Sequence, residues 1–349
     1  MDWNEIPKNT GKPDFNNLLR VLRREVPSRP TLWEFFLNDR LYDRLVPEIP
    51  ADPADTMTQI RCTMLAYYRL GYDYTALLIP DFSFVEGHVT RRKEKSISLN
   101  EGNVIHTWDD FKAYPWPDPE TADYGILDRL ALELPTGMKL IPYSPDGVLE
   151  NVVDLAGYQA LCIMVKDDPK LAEAIFEAVG TRLVRYYELA ARYASVGACI
   201  SNDDWGFKTQ TMFSPADMRR FVFPWHKRIV EAVHAAGKPV ILHSCGYFQR
   251  IIDDVIDDMR FDGRHSYEDS IMPVEEAYAK YHDRIAIIGG IDVDFVCRSS
   301  PEAVYERSRA MLERTARSGG YAHGTGNSVP DYVPDEGYFA LIRAALDLR

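Results

Sequence analysis

The chain alternates between short apolar runs and longer segments in which apolar residues recur every three or four positions. Residues 74–80 have the length of a buried strand and end at a proline, whereas Ser214-Pro215 opens a segment with helical spacing. Serine caps helices, and proline is favoured at the first helical position. The pattern predicts seven strands in alternation with helices. The strands are residues 74–80, 139–143, 197–203, 238–243, 261–265, 285–291 and 321–324.

This alternation predicts a parallel sheet, because right-handed crossovers place each helix on a face of the sheet. A closed eight-stranded barrel and an open doubly wound sheet are both compatible with seven strands. No glycine fingerprint for nucleotides follows any of them, which favours the barrel. We predict an α/β fold, a single-domain (β/α)8 TIM-type barrel at residues 71–349, with residues 1–70 as a helical extension packed on it. Residues 88–119 are irregular and are interpreted as a hairpin or a long surface excursion.

Composition and charge restrict the partners. The net charge of −13 and a pI near 5.1 disfavour nucleic acid and anionic membranes, which would repel this surface. The cysteines have no paired spacing, which is typical of free thiols in a reducing compartment. They are Cys62, Cys162, Cys199, Cys245 and Cys297. Because the chain shows neither a signal-peptide core nor an apolar run of roughly 20 residues, we expect a cytoplasmic protein. The sequence is also compatible with a homodimer.

Polar residues follow almost every predicted strand, at the edge where parallel α/β folds place their active sites. His243 and Cys245 stand two positions apart, so an extended chain points both side chains to one face. Imidazole and thiolate are ligands that zinc prefers, and a catalytic zinc has about three protein ligands. The options for the remaining ligands are Glu268, His323, Thr325 and Ser328. The alternative interpretation is a core histidine beside an inert thiol.

Carboxylates and aromatic residues supply the other candidates. Asp203 and Asp204 could act as general acid or base, or orient a cationic group, although aspartates also favour turns and helix caps. Asp81 could contact the substrate or belong to a Pro-Asp turn. We take Asp203, Asp204 and Asp81 as the candidate catalytic residues. The candidate substrate-binding residues are Trp205, Phe207, Asp292 and Ser328.

Six short segments carry a resemblance to a known family. They occur in the same order as in that family and lie within residues 181–349. The segments are residues 202–206 (Asn-Asp-Asp-Trp-Gly), 213–215 (Phe-Ser-Pro), 223–224 (Phe-Pro), 239–246 (Pro-Val-Ile-Leu-His-Ser-Cys-Gly), 288–292 (Ile-Gly-Gly-Ile-Asp) and 330–334. Together they resemble the uroporphyrinogen decarboxylase superfamily. The resemblance implies a (β/α)8 barrel and one of two chemistries.

One branch of this superfamily consists of decarboxylases that remove acetate carboxyls from a tetrapyrrole without a cofactor. Asp81 matches the pocket aspartate of that branch. The arginine-rich motif that holds the substrate carboxylates is missing, because residues 32–40 keep only Arg40. A histidine turn near the last strand is replaced by Gly-Thr-Gly at residues 324–326, with His323 one position earlier. This branch therefore keeps one landmark and lacks two.

The other branch consists of zinc-dependent methyltransferases that pass methyl groups between small substrates and a corrinoid protein. His243 and Cys245 match its zinc-binding pair, and Glu268 falls where that branch has a glutamate. The later cysteine is missing, so either His323 substitutes for it, or the metal site is weaker, or there is no metal. Because the chain lacks a corrinoid-binding loop, the corrinoid would sit on a partner protein. We predict such a methyltransferase; a cofactor-free carboxy-lyase is the first alternative and a non-catalytic ligand-binding barrel the second.

Overall fold

One parallel sheet forms the centre of the molecule. The computed structural model describes residues 2–49, 55–84, 99–100 and 103–349. The strands are β1 (Tyr74–Leu78), β2 (Lys139–Tyr143), β3 (Cys199–Asn202), β4 (Val240–His243), β5 (Gly263–His265), β6 (Ala286–Ile288) and β7 (Tyr321–Ala322). They pair in chain order, and every neighbouring pair is parallel. All seven predicted strands are therefore confirmed, each within its predicted bounds.

The eighth position of the barrel is filled by residues 31–33. The Trp33 N–H donates to the His323 carbonyl at 2.7 Å, and the His323 N–H donates to the Thr31 carbonyl at 2.7 Å. On the other side, the Tyr74 hydroxyl on β1 accepts from the Glu34 N–H at 2.6 Å and donates to the Glu34 carbonyl. The predicted (β/α)8-type barrel is thus confirmed. Residues 31–33 belong to its wall, while the division of the chain at residue 70 stays a prediction.

Helices cover the outside of the sheet. They are α1 (Asn16–Leu22), α2 (Asp39–Leu45), α3 (Thr56–Leu70), α4 (Trp108–Ala113), α5 (Ile126–Ala131), α6 (Val148–Ala156), α7 (Tyr158–Asp167), α8 (Pro169–Ala190), α9 (Pro215–Asp217), α10 (Phe223–Ala235), α11 (Val274–Tyr281), α12 (Val293–Arg298), α13 (Pro301–Thr315) and α14 (Asp335–Leu346). Among the described residues no single helix is long and apolar enough to cross a bilayer. The pair α6 and α7 passes by length and composition but bends by 94°.

Some helical predictions change in detail. The Ser214 hydroxyl caps α9 by accepting from the Asp217 N–H at 3.1 Å, as its position predicts. A π-helix, Met218–Val222, then precedes Pro224, which lacks the N–H that an α-helical turn needs. Of the irregular stretch 88–119, residues 88–98 and 101–102 lie outside the described part of the chain, and α4 occupies part of the rest.

The close approach of residues 31–33 to β7 depends on Gly324. A Cβ at this position would lie 1.8 Å from the Trp33 carbonyl oxygen. We expect Gly324→Ala to destabilise the fold by about 1–3 kcal/mol, because the backbone must move apart. In the control Gly11→Ala, the Cβ would meet only the Asn9 side chain at 3.4 Å, and the change should stay within about 0.5 kcal/mol. Urea unfolding measures both; equal midpoints would contradict this closure of the barrel.

Candidate active site

Three side chains from two neighbouring strand ends meet at the rim of the barrel. They are Asp204 after β3, His243 at the end of β4, and Cys245. One oxygen, nitrogen or sulfur atom from each lies within 4.8 Å of the other two. The Cys245 Sγ is 3.9 Å from His243 Nε2, and the Cys245 N–H donates to Asp204 Oδ1 at 2.9 Å. The parallel register of β3 and β4, which pairs Asn202 with His243, produces this arrangement.

The second ring nitrogen of His243 contacts another histidine. Its Nδ1 lies 2.8 Å from Nδ1 of His265, its register partner on β5. The Nε2 of His265 lies 3.2 Å from the Thr325 carbonyl oxygen. Burial, together with the charge of Arg264, lowers the pKa of His243 to about 3. Burial also lowers the pKa of His265 well below its usual value.

The Cys245 thiol is enclosed by polar groups. Asn327 Nδ2 donates to its sulfur at 3.3 Å, and the Ser266 hydroxyl lies 3.9 Å from it. Burial, and then the neighbouring Asp204 carboxylate, raise the pKa of the Cys245 thiol. The thiol is therefore protonated at neutral pH in the metal-free protein. A bound cation would be needed to hold it as a thiolate.

The donor set fits a zinc ion. Zinc binds nitrogen at about 2.0–2.1 Å and sulfur at about 2.3 Å, so two tetrahedral ligands would lie roughly 3.5 Å apart. The observed separation of His243 Nε2 and Cys245 Sγ is 3.9 Å, close to that value without any rearrangement of the backbone. Asp204 adds a carboxylate oxygen, which zinc also accepts. Three protein ligands with one position left for substrate is the composition of a catalytic zinc site.

Asp203, in contrast, is a structural residue. Its side chain is 0% exposed. The carboxylate accepts from the N–H groups of Leu149 and Glu150 at 2.8 and 2.9 Å, from the Trp205 indole at 2.9 Å and from His226 at 2.8 Å. These donors occupy both oxygens, and the catalytic role of Asp203 stays a prediction. Trp205 is buried and donates its indole N–H to Asp203, and its assignment to substrate binding stays a prediction.

Two other predicted residues point away from the cluster. His323 places Nδ1 3.2 Å from the Tyr321 hydroxyl and Nε2 3.3 Å from the Leu341 carbonyl, between the sheet and α14. Both nitrogens are engaged there, and His323 lies outside the cluster of Asp204, His243 and Cys245. Asp292 is the N-cap of α12, and its second oxygen accepts from the Asp269 N–H at 2.7 Å. Its carboxylate therefore accepts from two backbone N–H groups, and its assignment to the substrate stays a prediction.

The remaining candidates lie outside the three-residue cluster. Glu268 is half-buried, and burial raises its pKa, with Asp204 among the nearby charges that add to the rise. Phe207 exposes 42% of its surface. The Ser328 N–H donates to Asn327 Oδ1 at 2.8 Å, so Ser328 orients Asn327. Asp81 follows β1, is exposed and has a φ of 65°. Roles for these residues stay predictions.

Two residues at the site were not predicted. Asn327 contacts the Cys245 sulfur from the loop after β7, the region where the resemblance leads one to expect a further cysteine. The position of this loop after the last predicted strand is the sequence signal that could have identified Asn327. His265 is the last residue of the fifth predicted strand, as His243 is of the fourth. Neighbouring parallel strands that end at the same level place the two histidines side by side.

Glu34 supports the same wall of the barrel. Its Oε1 accepts from the Thr325 hydroxyl at 2.8 Å, and burial raises the pKa of Glu34 from 4.5 to about 8. The stability that its protonated form contributes is therefore complete below about pH 4.5 and is lost as the pH rises through about 8. Relative to Glu34→Gln, the wild type should lose free energy of unfolding between about pH 5 and about pH 9. Urea unfolding of both proteins across this pH range measures the difference. If their free energies of unfolding change with pH in parallel, the pKa of Glu34 is not raised by folding.

Adjacent aspartates provide a matched pair of variants. Asp203→Asn should destabilise the protein by about 1–3 kcal/mol, because an amide nitrogen would face donors in a buried position. Asp204→Asn should change stability by less than about 1 kcal/mol, since an amide oxygen can still accept from the Cys245 N–H. Unfolding in urea compares the two. The opposite order would contradict the assignment of Asp203 to structure and Asp204 to the site.

Comparisons with known proteins agree with this barrel. The family pattern described as Uroporphyrinogen decarboxylase (URO-D) matches residues 97–347. A uroporphyrinogen decarboxylase of Anaeromyxobacter sp. strain Fw109-5 is 26% identical over 242 residues, which are 61% of this chain and 66% of that protein. One of Citrifermentans bemidjiense is 30% identical over 145 residues, 39% of this chain and 41% of that protein. The match thus spans just under two thirds of the first relative.

A solved structure shares the fold. A methyltransferase from Methanosarcina mazei superposes with a TM-score of 0.72 and 16% identity, over 96% of this chain and 98% of that one. At this identity the likeness concerns the arrangement of strands and helices. It confirms the TIM-type barrel.

Proposed function

The chain belongs to the uroporphyrinogen decarboxylase family, and within it we propose a zinc-dependent methyltransferase that moves a methyl group between a small substrate and a separate corrinoid protein. The observation that carries this proposal is the convergence of Asp204, His243 and Cys245 at the active-site end of the barrel. The methyltransferase name of the Methanosarcina mazei protein, whose barrel this chain shares, points in the same direction.

The site residues would hold the metal through His243 Nε2, Cys245 Sγ and an Asp204 oxygen. A zinc ion bound there would supply a Lewis acid that keeps a substrate thiol or similar group deprotonated at neutral pH. Asp204 also accepts from the Cys245 N–H, which fixes the two ligands relative to each other. Asn327 donates to the Cys245 sulfur and stabilises negative charge on it.

The acidic surroundings favour a small substrate with few negative charges. Burial raises the pKa of Glu150 well above its usual value, and the Asp204 carboxylate is the next largest cause. Burial also raises the pKa of Glu268, and the Asp204 carboxylate adds to that rise. The Asp204 carboxylate, which contributes to both shifts, would repel a substrate that carries many carboxylates.

A cofactor-free carboxy-lyase is the second candidate, because the curated relatives carry that name. Its tetrapyrrole substrate would need cationic side chains to pair with its carboxylates. Arg40, the arginine that residues 32–40 retain, lies 2.8 Å from the Asp335 carboxylate and donates to the Val333 carbonyl at 2.8 Å. The Arg40 guanidinium is thus paired within the protein, which weighs against the carboxy-lyase.

Metal analysis tests the site directly. Protein purified without a metal-binding tag should contain about one zinc per chain, because three protein ligands suffice for a catalytic site. His243→Ala and Cys245→Ser should lose it. Cys297→Ser is the matched control, since Cys297 lies on α12 outside the cluster, and it should keep the metal.

Methyl transfer tests the chemistry. Methylcobalamin and a small thiol serve as probes under anaerobic conditions. The cobalt–carbon bond breaks as the carbon–sulfur bond forms, cobalt keeps the electron pair and falls from Co(III) to Co(I), and the thiol proton passes to solvent. The spectral change of the cobalamin should depend on zinc and vanish in Cys245→Ser. Full transfer by zinc-free protein, or chelator-resistant release of carbon dioxide from a porphyrinogen, would overturn the proposal.

A further inference from the structure

We propose that His265 is a positioning residue that keeps the proton of His243 on Nδ1 and thereby leaves His243 Nε2 free to bind a metal. The role of His265 in metal binding rests on the proposed function. The proton position itself is a property of the metal-free protein, because it follows from hydrogen bonds within the barrel. It can therefore be tested separately.

The first step concerns the outer nitrogen of His265. Its Nε2 lies 3.2 Å from the Thr325 carbonyl oxygen, and a carbonyl can only accept. The proton of His265 must therefore be on Nε2. Thr325 is itself held by Glu34, whose carboxyl accepts from the Thr325 hydroxyl and N–H. These bonds to Glu34 fix the position of Thr325, whose carbonyl accepts from His265.

The second step concerns the contact between the two rings. The Nδ1 atoms of His243 and His265 are 2.8 Å apart, so one of them carries a proton and the other accepts it. A doubly protonated His265 would be a buried cation beside Arg264, which is itself buried. The described partners of the Arg264 guanidinium include backbone carbonyls and aromatic rings, which do not offset a second positive charge. His265 is therefore neutral, and His243 is the donor.

The third step follows from the single proton of a neutral imidazole. With that proton on Nδ1, the Nε2 of His243 carries a bare lone pair, and this is the atom 3.9 Å from Cys245 Sγ. The ring centroid of Phe35 lies 4.6 Å from that of His243, and the ring centroid of Trp33 lies 6.0 Å from that of His265. Trp33 of the segment that closes the barrel, and Phe35 just after it, thus pack against the two histidine rings.

The wild-type protein offers a direct test without metal. The chain has eight histidines, and selective ¹⁵N labelling with long-range ¹H–¹⁵N correlation distinguishes bare from protonated ring nitrogens. Signals lost in His243→Gln and in His265→Gln assign the two rings. We expect Nδ1–H for His243 and Nε2–H for His265. A spectrum with the His243 proton on Nε2 would overturn the inference whatever the metal content of the protein.

Variants then test whether His265 is the cause. His265→Phe keeps a ring but removes the acceptor, so His243 should populate the Nε2–H form and zinc affinity should fall about 10–100-fold. His265→Asn keeps an acceptor near the Nδ1 position and should restore the Nδ1–H form, which also covers the case in which the phenylalanine variant fails to fold. His323→Phe, at a buried histidine outside the site, should alter neither. An unchanged tautomer in both His265 variants would exclude the positioning role.

The two proposals fail in different ways. If the predicted tautomer is found but zinc does not bind, the proton assignment stands and the methyltransferase proposal is wrong. If zinc binds at His243 while its free form carries the proton on Nε2, the function survives and the role of His265 is wrong.

Discussion

The buried carboxylate of Asp203 holds the active-site end of the barrel together. It accepts from two N–H groups at the start of α6, from the Trp205 indole and from His226 on α10. A buried charge that lost these donors would be strongly destabilising, so the end of β3 has little freedom to move. The next residue is Asp204, which is thereby presented to the Cys245 N–H. The geometry of the site depends on this one satisfied charge beneath it.

Much of this arrangement could be predicted from local sequence. Strand length, alternation and flanking turn residues mark β1 to β7, and the two-residue spacing of His243 and Cys245 places both on one face. The wall formed by residues 31–33 could not be predicted in this way, because its partner His323 lies almost the whole length of the chain away. A long-range pairing leaves no periodic signal in either segment.

The positions of two other candidate residues depend on long-range packing in the same way. Asp203 and Asp204 are adjacent and chemically identical, and only the approach of α6 decides which of them turns inward. His323 was favoured as a ligand by its position near the last strand, but it faces α14 because its neighbours in the wall set the direction of its side chain. Sequence patterns identify which residues gather at a rim, whereas packing decides which of them face the opening.

The described site also shows what takes the place of the cysteine that the family resemblance leads one to expect. Asn327 occupies the corresponding region and contacts the Cys245 sulfur, while Asp204 contributes a carboxylate to the cluster. One carboxylate and one thiolate carry the same total charge as two thiolates, so the charge of a bound zinc would still be balanced. The proposed zinc site would thus have one sulfur ligand and a histidine whose metal-binding nitrogen is left unprotonated by the contact with His265.

Zinc K-edge X-ray absorption on the zinc-loaded protein tests this account most directly. We expect one sulfur ligand at about 2.3 Å from the zinc, and nitrogen or oxygen ligands at about 2.0–2.2 Å. Replacing Cys245 with serine should remove the sulfur contribution. A first shell without sulfur, a shell with two sulfurs, or a protein that takes up no zinc would contradict it.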